Sequence, residues 1–407
     1  MSAFEHAGTP EGQHDTRPPA LANDALSGMR VAVVGAGAFG GWTALMLRRA
    51  GADVTLVDAW GPGHARSSSG DETRVIRATY GPSARYTQWT AQAFGEWRAL
   101  EALTGRTLMT TCGALWLFSI TDDTYPRVAM PVMAAQGLTL EELTLAEVAR
   151  RFPQFSLDGV RSAFFEPGAG FLRARLGCQV VAAQFEAEGG RVVQAEVRPG
   201  RISRETMGAI ATGDGGRIEA DRFVFACGPW LGRLFPRVIG TGVTPTRQEV
   251  FYFGTPAGDA RYESGSCPVW LHAGPGGVSF GIPGNDGRGM KVGNDVRGPR
   301  IDPTRASRAP TARALAWAKA ELARRIPGLA GAPVSEARTC VYENSPDGHL
   351  ILDRHPRASN VLLAGGGSGH GYKLGPVVGR HLAALMADAT PGVEAFGVAR
   401  LALPHPQ

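Results

Sequence analysis

The sequence predicts an α/β fold, α+β overall: a parallel-sheet domain assembled from segments far apart in the chain, beside a second domain with a mainly antiparallel β-sheet. Three observations predict it. A strand, a glycine turn, a helix, a second strand and an acid follow one another over residues 31–58. Another strand, glycine loop and helix occupy 360–387, near the opposite end of the chain. Between them lie short β-rich runs separated by glycines, the composition of an antiparallel sheet.

Residues 31–34 (VAVV) form a continuous apolar run, as a parallel strand buried on both faces requires. Gly35-x-Gly37-x-x-Gly40 follows, then a helical pattern through Trp42, Leu45, Met46 and Leu47 that ends near Gly51. A β-rich run over 54–57 closes on Asp58. In this arrangement Gly35 permits the tight turn, Gly37 lets backbone amides approach a pyrophosphate, and Gly40 allows close helix packing. The helix N-terminus faces the phosphates and Asp58 accepts from a ribose hydroxyl. The glycines alone are a weak signal of a Rossmann-like dinucleotide site; with the flanking elements they are a strong one, without separating FAD from NAD.

Further along, 114–118 (ALWLF) reads as a strand and 138–151 as one or two helices. Residues 176–188 read as a helix and 191–197 as a strand, and 221–226 (DRFVFA) as a buried strand ending at Cys227-Gly228-Pro229. Residues 248–253 and the glycine-rich, hairpin-like 275–292 suggest the antiparallel sheet, and 311–325 is helical. Last come a strand at 360–364, a glycine loop at 365–371 and a helix at 376–387.

Composition narrows the class. Hydrophobic residues make up 43% and charged residues 19%, a globular profile, and no apolar run reaches the ~18 residues of a spanning helix. Residues 1–27 lack a basic start followed by an apolar block, so a disordered leader and a cytoplasmic location are expected. The formal charge is +5, but no basic run is interleaved with aromatics, so nucleic-acid binding is not expected. The cysteines, Cys112, Cys178, Cys227, Cys267 and Cys340, are odd in number and widely spaced, which indicates neither a disulfide framework nor a metal site. Nearly every cation is arginine. Lys291, Lys319 and Lys373 are the lysines, and each invites scrutiny for chemistry a guanidinium cannot do.

Five blocks carry a resemblance: the glycine-turn opening, GDETRVIRATYG (70–81), GMKVGND (289–295), RTCVYENSPDGHLILDRHP (338–356) and NVLLAGGGSGHGYKLGPVVG (360–379). In these the chain resembles the monomeric sarcosine oxidase and N-methyltryptophan oxidase family, within the D-amino-acid-oxidase-like flavoenzymes. The resemblance implies a Rossmann-like FAD-binding domain built from 29–109, 170–240 and 335–390. A substrate-binding domain with a mainly antiparallel sheet takes 110–169 and 241–334, with a leader at 1–28 and a tail at 391–407. It implies that Cys340 forms a thioether to the flavin 8α-methyl carbon, with Arg74 and Arg338 lowering the thiol pKa. The alternative for Cys340 is an inert core thiol.

The same resemblance places Arg74 near the flavin and has Arg77 and Lys373 hold the substrate carboxylate. It makes Lys291 the cation beside which oxygen is reduced. The loop containing Gly367, Gly369 and Gly371 aims amides and a helix terminus at the flavin pyrimidine ring. Tyr342 is a pocket residue, or a core tyrosine with a satisfied hydroxyl. The chain departs from the family at Asp295, Phe280, Leu271 and Gly70, where sarcosine oxidases carry histidine, tyrosine, methionine and often histidine. Asp295 is either a partner for an extra cationic group on the substrate or an exposed hairpin carboxylate.

The expected activity is oxidation of an N-substituted, cyclic or otherwise modified amino acid. Hydride leaves the α-carbon for flavin N5, an imine is released, and O2 returns as hydrogen peroxide, by a monomer that binds neither nucleic acid, membrane nor metal. The alternatives are an amino-acid dehydrogenase that passes electrons to a carrier protein, and a noncatalytic flavin redox sensor.

Overall fold

The computed structural model describes residues 15–402. Strand Arg30–Val34 buries four consecutive residues because both faces of its sheet are covered. It lies inside a six-stranded sheet ordered Ile351–His355, Ala358–Gly365, Arg222–Phe225, Arg30–Val34, Asp53–Asp58, Arg191–Gln194. All neighbours pair in parallel except the antiparallel edge pair of Ile351–His355 with Ala358–Gly365. Strands from both ends of the sequence therefore share one sheet, as the two glycine turns imply.

Helices Ala38–Arg49 and Gly375–Met386 pack against each other, and small residues set how closely. A Cβ on Gly379 would lie 2.7 Å from the Trp42 backbone, and one on Gly375 2.7 Å from the Trp42 ring. Trp42 is 1% exposed, so the large indole and the two missing side chains fill one space.

The larger sheet has eight strands in the order Val334–Asn344, Thr244–Phe253, Met290–Asn294, Gly277–Ile282, Val269–Gly274, Ala114–Phe118, Ser162–Glu166, Glu141–Leu143. Neighbours are antiparallel except Val269–Gly274 with Ala114–Phe118. Alternation sorts its side chains. Phe251 and Phe253 join a core with Leu322 and Ala318 of helix Ala312–Arg325, while Val250 and Tyr252 face Cys340 on the opposite side. A small sheet of Thr73–Ile76, Gly170–Arg173 and Met109–Thr111 completes the frame of the site.

Several expectations are corrected. Residues 138–151 are not helical throughout: Glu141–Leu143 is an edge strand, and helix Leu145–Arg151 begins only at the capping box formed by Thr144 and Glu147. The expected disordered leader is docked from residue 15 onward. Thr16 donates from N and Oγ1 to Gln88, accepts from the Trp89 indole, and Leu26 is 3% exposed; residues 1–14 lie outside the described residues. In the tail, Phe396 is fully buried against Trp89, Tyr86 and His381, while 403–407 lie outside the described residues. Among the described residues no helix is long and apolar enough to cross a membrane.

Candidate active site

The glycine turn forms one end of a cavity of about 530 Å³. Gly35 has φ 103°, and a Cβ there would lie 2.3 Å from the Ala226 carbonyl oxygen. On Gly40 it would lie 1.8 Å from the Gly35 carbonyl oxygen. Gly35 and Gly37 both line the cavity, but at Gly37 the nearest obstacle to a Cβ is a side-chain atom, Ser69 Oγ at 3.2 Å. Two glycines therefore close the turn and the third leaves backbone open to a ligand. Asp58 also lines the cavity. Its carboxylate accepts from the backbone amides of Ala36 (2.8 Å), Trp60 (2.8 Å) and Gly61 (2.9 Å), so the acid braces the turn as well as facing the cleft.

At the other end, strand Ala358–Gly365 runs into the glycine loop. Gly369 (φ 84°) lies so near the Tyr342 ring that a Cβ would come within 2.7 Å, and a Cβ on Gly371 would lie 2.9 Å from Gly367 Cα. Gly367, Gly369 and Gly371 line the cavity. A 3₁₀ turn, Tyr372–Leu374, carries Lys373 and precedes helix Gly375–Met386.

A smaller cavity of about 90 Å³ adjoins the first, and Arg74, Tyr342, Gly369 and Tyr372 line both. The smaller space holds Arg77, Lys373, Asp295, Lys291 and Cys340, with Trp116, Leu271 and Phe280 as apolar wall. Arg77 is 6% exposed; it donates to the Thr79 carbonyl and lies over Trp116 (4.9 Å) and Tyr80 (5.2 Å). Lys373 Nζ donates to the His370 carbonyl at 3.1 Å and lies 4.8 Å from the same Tyr80 ring. Burial, with Arg77 close by, pushes Lys373 well below the usual lysine range. Glu166, 2% exposed, accepts from the amides of Ala78 and Thr79 and so fixes the chain just beyond Arg77. Tyr342 Oη donates to Asp295 Oδ1 at 3.1 Å, which places Asp295 in the pocket wall.

Asp71 escaped the sequence reading. Asp71, 3% exposed and with φ 95°, accepts from Lys291 Nζ (2.5 Å), Tyr252 Oη (2.7 Å) and Arg74 Nη1 (3.1 Å). Burial raises its carboxyl, but Lys291 and Arg74 outweigh that and hold it far below the usual range. Burial lowers Lys291 in turn, with Asp71 pulling the other way. Nothing in the stretch SGDETR marks Asp71 as different from an ordinary turn acid.

The expected acidification of Cys340 is corrected by the same group. Burial first, then Asp71, push the thiol up, and Arg74, Lys291 and Arg338 only partly offset them. Arg338 is itself paired with Glu336 and with Glu72 (2.9 Å). Arg74 braces the loop before it, donating to the carbonyls of Ser68 (2.8 Å), Gly70 (2.7 Å) and Thr73 (2.8 Å). At Gly70 a Cβ would lie 2.5 Å from the His64 carbonyl oxygen, which explains why no side chain stands there.

The long cleft suits a dinucleotide: an open glycine turn with an acid at one end, a glycine loop at the other, and a second pocket where a flat ring would end. The chain is similar to several known proteins. Monomeric sarcosine oxidase of Bacillus sp. (strain B-0618) is 29% identical over 92% of this chain and 96% of its own length. N-methyl-L-tryptophan oxidase of Yersinia pestis (strain Pestoides F) is 28% identical over 90% of this chain and 98% of its own. The fold is shared with L-proline dehydrogenase from P. horikoshii (TM-score 0.81, 18% identity, 92% and 98% of the two chains). It is shared too with the fructosamine oxidase of Aspergillus fumigatus (TM-score 0.75, 22% identity, 90% and 88%). Because the FAD dependent oxidoreductase (DAO) family model matches residues 30–385, which include both glycine loops and every residue of the two cavities, the chain belongs to that family.

Proposed function

We propose that the enzyme oxidises an N-substituted, cyclic or otherwise modified amino acid at its α-carbon. The observation that carries this reading is the pairing of Arg77 and Lys373 in one small pocket: two buried basic side chains, Arg77 bonded to the Thr79 carbonyl and the Tyr125 hydroxyl and Lys373 to the His370 carbonyl, which lie over one tyrosine ring. A substrate carboxylate is the group that satisfies both. Apolar walls from Trp116, Leu271 and Phe280 exclude water from the amine. Tyr342 and Asp295 stand where the amine or a further polar group of the substrate would be oriented. FAD, when bound, would supply a two-electron acceptor for hydride from the α-carbon, with O2 as the terminal acceptor and hydrogen peroxide as its product. Orientation by the two cations contributes most of what the protein adds. Segments 29–109, 170–240 and 335–390 are proposed to hold FAD, with Cys340 as the attachment point, and 110–169 with 241–334 to hold the substrate.

The experiment is anaerobic mixing of the yellow protein with N-methyl, cyclic and glycated amino acids, watching flavin absorbance, followed by oxygen and peroxide measurement. Acid precipitation of wild type and Cys340→Ala shows whether flavin is covalent. Bleaching by none of these amines would sink the reading.

One observation favours a second acceptor. The Lys291 ammonium, proposed as the cation beside oxygen, is already engaged by Asp71 and Thr73, so its charge is compensated within the site. Reoxidation faster with an artificial acceptor than with O2 identifies a carrier-linked dehydrogenase instead.

A further inference from the structure

The larger cavity has a buried acid that neither the sequence reading nor the proposed chemistry uses. Glu343 follows Tyr342 on strand Val334–Asn344, and alternation turns it away from the substrate pocket: Cys340 lines the smaller cavity, Glu343 the larger. It is 8% exposed, and its Oε2 has no hydrogen-bond partner among the described residues. An orphaned carboxyl oxygen in so buried a place is costly unless something binds it.

Its position defines what that something is. A Cβ on Gly228 would lie 2.9 Å from Oε2, and one on Gly367 2.9 Å from Oε1, so the carboxyl sits between two glycines that also line the cavity. Gly228 follows the strand beside the pyrophosphate turn; Gly367 opens the loop at the ring end. The carboxyl therefore lies midway along the cleft, where the hydroxylated chain of a flavin joins phosphates to ring.

We propose that Glu343 positions the cofactor, its Oε2 hydrogen-bonding the hydroxylated linker of FAD. The inference rests on FAD occupying this cleft. Burial pushes the carboxyl up to about 7, against an opposing pull from the Gly367 amide. It can therefore donate when protonated and accept when ionised, which makes the contact responsive to pH near neutrality. Among the described residues no charged side chain contributes to that shift. The Cys227 thiol is the titratable group facing it from the Gly228–Trp230 turn, and burial followed by Asp58 and Glu343 pushes that thiol far up. On the neighbouring strand Arg247 and Glu249 are paired with each other at 2.9 Å. On its own strand Asn344 is bonded to Thr246 and Tyr342 to Asp295.

The test uses wild type, E343Q and E343L holoproteins. Expected are a change in the wild-type visible flavin spectrum with a midpoint near pH 7, and a protonated-carboxyl band in the reduced-minus-oxidised infrared difference spectrum. In E343Q both disappear while flavin content is kept, because an amide still hydrogen-bonds but does not titrate. E343L loses a large share of its flavin. A transition that persists in E343Q, or full flavin content with an unchanged spectrum in E343L, overturns the assignment alone. A wild-type chain that takes up no flavin overturns both this assignment and the FAD reading beneath it.

Discussion

Lys373 shows how burial converts a side chain into a pH-dependent ligand. The side chain is 3% exposed, has Arg77 as a like-charged neighbour and holds one backbone carbonyl at 3.1 Å, so burial and Arg77 shift the empty site toward the neutral amine. A substrate carboxylate reverses that preference by placing an opposite charge beside it. Over the window between the lowered value and the ordinary lysine value of 10.5, binding therefore takes up a proton. The sign follows: affinity for carboxylate substrates weakens as pH rises through that window. Calorimetric titration of a carboxylate inhibitor in buffers of different ionisation enthalpy should show net proton uptake in wild type. Lys373→Arg should bind with none, since a guanidinium stays charged throughout. Equal proton exchange in the two proteins would show that Lys373 is already charged in the free enzyme.

At the scale of elements, the two glycine loops divide between positions that close the fold and positions that admit the cofactor. Gly40→Ala forces a Cβ to 1.8 Å from a backbone oxygen, a clash no rotamer relieves. It should cost about 1–3 kcal/mol or more in apoprotein stability and abolish flavin binding. Gly37→Ala meets only Ser69 Oγ at 3.2 Å, so the apoprotein should melt as wild type does while flavin content falls. Equal loss of stability in both variants, by thermal unfolding without flavin, would contradict this division. These loops were legible in the sequence because local chemistry sets them: glycine spacing, strand periodicity and an acid at a fixed distance. Arg77 and Lys373 were legible through the resemblance and Asp295 only as a departure from it, and the structure brings all three into one pocket. Residues 138–151 were misread because Leu143 is held by pairing with Ala163, a contact no local pattern reveals. Docking of Thr16 on Gln88 and Trp89 was equally invisible, since a polar, proline-rich leader gives no sign of a distant partner. Asp71 and Glu343 escaped for a related reason: a buried acid and a surface acid look alike until the chain is folded.

At the scale of the molecule, the larger cavity, proposed to hold FAD, lies where the two large sheets meet. Val34, Val57 and Ala226 come to it from the strands of the six-stranded sheet and the turn beyond them, and Val341, Tyr342 and Glu343 from the edge strand of the eight-stranded one. A ligand filling about 530 Å³ between them touches both, so flavin should act as a structural joint as well as a reagent. With FAD held by the folded cleft and not by the unfolded chain, as proposed, stabilisation would follow mass action, about 4 kcal/mol at a free concentration a thousandfold above Kd. Cys340→Ala is the protein for this measurement, since its flavin is removable whether or not the wild type holds a thioether. Apoprotein should melt several degrees below the reconstituted form and in a broader or divided transition, the two sheets losing a shared support. Reconstitution should merge the transition and move it upward with FAD concentration. A melting temperature indifferent to FAD at saturating occupancy would mean that the sheets hold each other without it, through shared elements such as strand Val334–Asn344, and that the cleft is preformed.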